Sequence, residues 1–121
     1  MKNTLLTLSF SLTLASCAMM ETIEKYWPRD HDPVMFQQLV KLDVQIKRVD
    51  CNSPQWSNAL FVVEELERYT EWRGDPQHTN IKQLQAHLHK LDESKNPVFC
   101  KIGQRTATMR VGAVKQAWEG R

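Results

Sequence analysis

The apolar positions between residues 35 and 118 recur at the spacing of α-helices rather than of β-strands. In the first segment, alternating steps of four and three residues separate Met35, Leu39, Leu42, Ile46 and Val49. The third segment repeats these steps with Ile81, Leu84, Leu88 and Leu91. Such spacing gathers the apolar side chains on one face of a helix. Both segments are therefore predicted to be helices with one buried face.

The second and fourth segments are also predicted to be helical, with less regular apolar stripes. The second ends at Gly74, a residue typical of helix C-termini. Its predicted stripe is Trp56, Leu60, Val63, Leu66, Tyr69 and Trp72. The fourth is predicted to bury Phe99, Ile102, Met109, Ala113, Val114, Ala117 and Trp118. In that segment Gly103 and Ala107, four residues apart, favour close approach of another helix.

Helix starts are indicated where a residue that can cap a helix is followed directly by proline. This dipeptide occurs at Asp32-Pro33, Ser53-Pro54, Asp75-Pro76 and Asn96-Pro97. The side-chain oxygen of the first residue accepts a bond from a free backbone N–H, and proline suits the first helical position. Short links between helices favour antiparallel neighbours. The sequence therefore predicts an all-α fold, a small up-down bundle of about four helices.

The first sixteen residues have the features of a secretory signal peptide. Lys2 supplies a positive start, and residues 4–14 form an uncharged, largely apolar run. This run is shorter than the ~20 residues that cross a bilayer, so it is not a membrane-spanning helix. A buried first helix is the alternative interpretation.

The signal-like segment ends in Leu14-Ala15-Ser16-Cys17, which resembles the lipobox of bacterial lipoproteins. The resemblance implies that the chain is cleaved before Cys17 and that this cysteine receives acyl chains such as palmitate. Because Ala18 rather than aspartate follows the cysteine, it also implies the Gram-negative outer membrane, on the periplasmic side. Two or more acyl chains hold a protein firmly to a bilayer.

Three regions follow from this resemblance. Residues 1–16 are the signal peptide, residues 17–31 the lipidated N-terminus and a tether, and residues 32–121 the helical domain. In the tether, Tyr26 and Trp27 have two interpretations, packing on the bundle or insertion at the membrane interface. Both residues are candidates for partner binding.

The cysteines fit an oxidising compartment. Once Cys17 carries a lipid, Cys51 and Cys100 remain, and a cysteine pair in a small exported domain is expected to form a disulfide. Cys51 precedes the second helix and Cys100 lies near the start of the fourth. These two helices start at the same end of an up-down bundle, so the bond is geometrically reasonable.

The distribution of charged residues is informative only in the fourth segment. The whole chain has a formal net charge of +2, too small to require nucleic acid or an anionic membrane as partner. No acidic residue lies between Lys95 and Trp118, a stretch that carries Lys101, Arg105, Arg110 and Lys115. These side chains either complement a neighbouring acidic second helix or form an exposed patch for a partner.

Candidate chemistry is sparse. The four histidines, at positions 31, 78, 87 and 89, contain no pair at a spacing of three or four residues on one helix face. The acidic residues of the second segment lie among Arg68 and Arg73, as on a solvated helix face. There is no phosphate loop and no G-x-S-x-G turn. We therefore expect no metal, no cofactor and no enzymatic activity.

The resulting hypothesis is a non-enzymatic binding or adaptor module, anchored by lipid in the outer membrane, whose partner is an envelope or inner-membrane protein. Size, anchor and compartment also resemble those of phage envelope lipoproteins, namely the outer-membrane subunit of spanin pairs and superinfection-exclusion lipoproteins. That resemblance implies a role in phage lysis or exclusion. A small periplasmic enzyme is the third alternative.

Overall fold

A computed structural model describes residues 32–120, which form four α-helices and no strand. The helices are α1 (Pro33–Arg48), α2 (Ser57–Arg73), α3 (His78–Glu93) and α4 (Pro97–Glu119). Each helix packs against two others, in the closed order α1, α2, α3, α4 and back to α1. Helices α2 and α4 lie across the diagonal and do not pack on each other. The predicted all-α bundle of four helices is confirmed.

Two of the four predicted helix starts are confirmed. The Asp32 carboxylate accepts a hydrogen bond of 2.9 Å from the backbone N–H of Val34, at the start of α1. The Asn96 side-chain oxygen accepts one of 2.9 Å from the backbone N–H of Val98, at the start of α4. In both helices proline occupies the first turn, where its missing N–H costs no helical hydrogen bond.

The other two predicted starts are wrong by a few residues. Helix α2 begins at Ser57, after Pro54, and the segment before it places Cys51 and Trp56 in the core. Helix α3 begins at His78, after Pro76. The Asp75 carboxylate accepts a hydrogen bond of 2.8 Å from the backbone N–H of Gln77. This bond closes a turn before the helix instead of capping the helix directly.

The core confirms the stripes of α1 and α3 and corrects those of α2 and α4. All the predicted apolar residues of α1 and α3 are buried except Val49, which is partly buried. In α2 the prediction for Trp72 is wrong, since this side chain is 81% exposed. In α4 the predictions are wrong for Phe99, Ile102, Met109 and Ala113 as well, because all four are exposed. The buried positions of α4 are Cys100, Gly103, Ala107, Val111, Val114 and Trp118.

Small residues in α4 explain why its buried face differs from the predicted one. A Cβ atom added to Gly103 would lie 2.0 Å from Leu91 Cδ2 of α3, so only glycine fits at this contact. The predicted close approach of another helix at Gly103 and Ala107 is confirmed, and both residues are buried. Gly103 and Ala107 therefore lie on the core face of α4, and the larger Ile102 and Met109 are left outside.

At one end of the bundle, covalent and polar links join the segment after α1 to α4. The disulfide Cys51–Cys100 is present, with a Cα–Cα distance of 5.5 Å, as predicted. Close by, the Gln104 side chain donates to the carbonyl oxygens of Ile46 at 2.7 Å and Val49 at 3.1 Å. These bonds add donors at the end of α1, where the carbonyl groups lack the N–H partners of the helix interior.

At the opposite end, Asp32 links the start of α1 to the end of α2. Its carboxylate accepts a hydrogen bond of 2.9 Å from the Tyr69 hydroxyl and lies 2.9 Å from Arg73 Nη1. Burial opposes ionisation of Asp32, but the bonds from Tyr69 and from the backbone, with the charge of Arg73, outweigh it and lower the pKa of this carboxyl. The same bond raises the pKa of Tyr69 above its usual range. Beside this group, the Trp118 indole N–H donates to Asp75 at 3.1 Å, which joins α4 to the turn before α3.

Candidate interaction face

The exposed side of α4 carries an apolar stripe. Val98, Ile102 and Met109 are 66%, 62% and 70% exposed, and Arg105 lies between the last two. These four residues follow one another at steps of four, three and four, so they share the helix face opposite the buried one. Isolated exposed apolar residues are common, but a contiguous stripe on one face is a feature of interaction surfaces.

Positive charge surrounds this stripe. Lys101 lies along one side of it and Arg110 along the other, and both are exposed. We use the term "outer face of α4" for the stripe and its charges: Val98, Lys101, Ile102, Arg105, Met109 and Arg110. Of the four predicted basic residues, Lys115 pairs with Glu119 of the same helix at 3.6 Å. Within residues 32–120 the other three form no ion pair, so the outer face keeps its positive charge.

One of the two interpretations of the basic segment is thereby wrong. The expectation that α4 lies beside the acidic α2 and complements it fails, because α4 packs on α1 and α3 and lies diagonally from α2. The sequence did not show this arrangement, since helix order around a bundle depends on packing. Arg105 lies on the exposed stripe itself, whereas Lys101 and Arg110, nine positions apart, flank it on opposite sides of the helix.

Lys115 instead borders a cleft between α1 and α4. The cleft has a volume of about 290 Å³ and opens to solvent. Phe36 and Val40 of α1 line one side, and Val111 and Gly112 of α4 line the other. The absence of a side chain at Gly112 contributes to its depth, because nothing lies within 4 Å of the position that a Cβ would take there.

The exposed side of α2 is a second candidate surface, which the apolar spacing of the sequence does not reveal. Phe61 is 63% exposed and Trp72 is 81% exposed, with Glu65 and Arg68 between them at the same steps of four, three and four. The residues Phe61, Glu64, Glu65, Arg68 and Trp72 are called the "outer face of α2" below. Thr70 takes the core position that would be expected for an apolar residue. Trp72, two positions further along the helix, therefore lies outside.

Three possible metal ligands lie together where α2 ends and α3 begins. Donor atoms of Glu67, Glu71 and His78 all lie within 4.8 Å of one another. The sequence pattern does not reveal this group, because its members come from two helices and include a single histidine. Glu67 Oε1 and His78 Nε2 already contact each other at 3.0 Å, which accounts for their placement without an ion.

The remaining predicted site residues, Cys17, Tyr26 and Trp27, lie outside the described residues. None of the helices within residues 32–120 has a stretch long and apolar enough to cross a membrane. No protein family, no curated protein and no solved structure matches this chain in comparison. The surfaces of the bundle itself are therefore the basis for a functional proposal.

Proposed function

We propose that this protein is a lipoprotein anchored in the outer membrane, facing the periplasm, that acts as a non-enzymatic binding module for another envelope protein. The observation that carries the proposal is the outer face of α4, on which exposed Val98, Ile102 and Met109 are bordered by basic side chains. An apolar centre with a charged rim is the usual composition of a protein-binding surface.

The charges of this face specify the kind of partner. Lys101, Arg105 and Arg110 have no acidic partner within residues 32–120, so an acidic surface gains their attraction without breaking an existing ion pair. Such charges mainly increase the association rate and the selectivity of a complex, while the apolar contacts supply affinity. The partner surface is accordingly acidic and apolar.

The lipid anchor rests on the sequence Leu14-Ala15-Ser16-Cys17 at the end of an apolar run. The Cys51–Cys100 disulfide supports export, because such bonds form and persist in oxidising compartments such as the periplasm. A firm anchor would keep the module at the membrane surface and raise its local concentration near membrane-bound partners.

The anchor is tested with Cys17→Ser in the full chain, followed by fractionation of cells into membranes and periplasm. The wild-type protein should stay with outer membranes after a salt wash, and labelled palmitate should be incorporated into it. The variant should lose the label and leave the membrane fraction while keeping its folded domain. Membrane retention of the unlabelled variant after a salt wash would remove the anchor from the proposal.

The binding face is tested by co-purification of envelope proteins with the double variant Arg105→Glu, Arg110→Glu. The matched control is Lys82→Glu, Lys90→Glu, because these two lysines are exposed on α3, away from the outer face of α4. We expect the α4 variant to lose its partner and the α3 variant to retain it. Wild-type association should also weaken as salt rises. Equal partner recovery with both variants would exclude the outer face of α4.

A further inference from the structure

A shallow pocket lies on the outer side of α2, where this helix packs on α1. Its volume is about 370 Å³. Phe61 and Trp72, both exposed, line the pocket together with Tyr69 of the same helix and Gln38 of α1. The Tyr69 hydroxyl donates a hydrogen bond of 2.9 Å to Asp32 of α1, which fixes this side chain between the two helices. Because the faces of aromatic rings attract positive charge, three aromatic side chains favour a cation in this pocket.

Two carboxylates add negative charge to the same pocket. Glu64 and Glu65 line it, and neither forms an ion pair in the part of the chain that the structure describes. Arg68 also lines the pocket, but its ion pair is with Glu67, at 4.0 Å. Glu67 does not line the pocket, since it contacts His78 of α3. The basic group is thus paired outside the pocket, and the two carboxylates inside it have no cation of their own.

A buried oxygen atom gives the pocket a further acceptor. Gln38 Oε1 is buried, and no residue between 32 and 120 donates a hydrogen bond to it. The terminal amide of glutamine turns easily about its last side-chain bond, so this oxygen can reach a ligand in the pocket. A buried acceptor without a donor destabilises a protein, and a ligand N–H that reaches it removes that cost. The ligand is therefore expected to carry N–H donors as well as positive charge.

We propose that this pocket binds a basic side chain, lysine or arginine, of a partner protein. The ammonium or guanidinium group supplies both the positive charge and the N–H donors, and the apolar stem of the side chain packs on Phe61 and Trp72. A quaternary ammonium ion such as choline has the charge but no N–H. The ammonium group of phosphatidylethanolamine has N–H donors but is joined to a phosphate, which Glu64 and Glu65 repel. A protein side chain is the source that fits the rings, the carboxylates and the buried oxygen together.

This site is separate from the outer face of α4, because α2 and α4 occupy diagonal positions in the bundle. The two surfaces also select opposite charge, since the outer face of α4 fits an acidic surface and the pocket fits a basic side chain. One bundle can therefore hold two different partner proteins. The inference goes beyond the proposed function, and either site can fail without the other.

The pocket is tested by NMR of the full chain labelled with ¹⁵N-tryptophan, in which the indole signal of Trp72 is assigned by its loss in Trp72→Phe. The probes are n-butylammonium and n-butylguanidinium, which carry the end groups of lysine and arginine. Tetramethylammonium and sodium chloride, at equal ionic strength, are the control cations. We expect the Trp72 signal to shift and saturate with the two probes, to respond more weakly to tetramethylammonium, and not to saturate with sodium chloride.

Variants separate the contribution of the buried oxygen from that of the charges. Gln38→Met removes the acceptor and should weaken n-butylammonium binding about tenfold, with no effect on tetramethylammonium, which cannot donate a hydrogen bond. Glu64→Gln combined with Glu65→Gln should weaken the binding of both cations. The matched control, Glu93→Gln combined with Glu119→Gln, removes the same charge from exposed positions on α3 and α4 and should weaken neither.

Three results would overturn the inference. The first is the same response of the Trp72 signal to sodium chloride as to the probes. The second is equal binding of n-butylammonium and tetramethylammonium, or an unchanged affinity of Gln38→Met for n-butylammonium, since either removes the role of the oxygen. The third is tighter binding of glycerophosphoethanolamine than of n-butylammonium, which would identify a lipid headgroup instead. Co-purification with the Arg105→Glu, Arg110→Glu variant addresses the outer face of α4 alone, so its result does not depend on these titrations.

Discussion

Replacement of Gly103 by alanine should destabilise the bundle, whereas the same replacement at Gly112 in the same helix should stabilise it. The new Cβ at position 103 would lie 2.0 Å from Leu91 Cδ2, 2.8 Å from Cδ1 and 2.9 Å from Cγ. Ordinary carbon contacts are about 3.5–4.0 Å. Leu91 is 1% exposed, so its side chain cannot turn away into solvent. Either Leu91 leaves its rotamer or α3 and α4 move apart.

The size of the effect follows from two opposing contributions. Overpacking of a core costs about 1–3 kcal/mol. Exchange of glycine for alanine inside a helix stabilises the helix by about 1 kcal/mol. Nothing lies within 4 Å of the Cβ position at Gly112, so only the second contribution applies there. The free energy of unfolding should therefore differ by about 1–3 kcal/mol between the two variants, in favour of Gly112→Ala.

The measurement is urea unfolding of the two variants and the wild type, followed by circular dichroism. A thermal melt should show the same order, at about 4–8 °C per kcal/mol for a domain of this size. Leu91→Ala combined with Gly103→Ala should be less destabilised than the sum of the single changes, since the first removes the atoms that the second meets. If Gly103→Ala proves as stable as Gly112→Ala, the close contact between α3 and α4 has been misjudged.

Two further predictions concern the ends of the bundle. Replacement of Cys51 and Cys100 by alanine should lower stability by about 2–5 kcal/mol, and alkylation of the unreduced wild-type protein should label neither of them. Asp32→Asn should cost about 1–2 kcal/mol at neutral pH, limited by the partial exposure of Arg73, because Tyr69 and Arg73 then face a neutral side chain. The lowered pKa of Asp32 means that its contribution to stability is fully present above the normal pKa of the carboxyl and is lost as the pH falls through the lowered pKa. The difference between wild type and Asp32→Asn should therefore shrink as the pH falls below about 4, in unfolding measured at several pH values.

The sequence predicted the helices well because the stripes of α1 and α3 are built from large apolar residues at regular steps. It also identified the capping roles of Asp32 and Asn96, where side chain and proline act locally. Asp75 misled the prediction, because its carboxylate also binds the indole of Trp118, which is 43 positions away. A contact of that range leaves no local pattern.

The candidate site could be predicted only in part. The basic residues of α4 were identified from their charge, but the apolar residues between them were assigned to the core. Ile102 and Met109 are larger than Gly103 and Ala107, and a pattern based on hydrophobicity favours the larger residues. Packing buries the smaller pair instead, since the close contact between Gly103 and Leu91 leaves no room for a side chain at position 103. The diagonal position of α2 and α4 depends on packing around the bundle and could not be inferred from spacing.

The position of the disulfide determines which parts of the chain would carry a mechanical load. A pull applied through the residues before Asp32 enters α1, crosses from Cys51 to Cys100 and continues into α4. Helices α2 and α3 lie within the bypassed loop and stay out of the path of tension. The cysteines are 49 positions apart, which corresponds to about 170 Å of extended chain that the oxidised protein cannot release under force. Stretching of single molecules with and without reductant should reveal this length as the difference between their fully extended states.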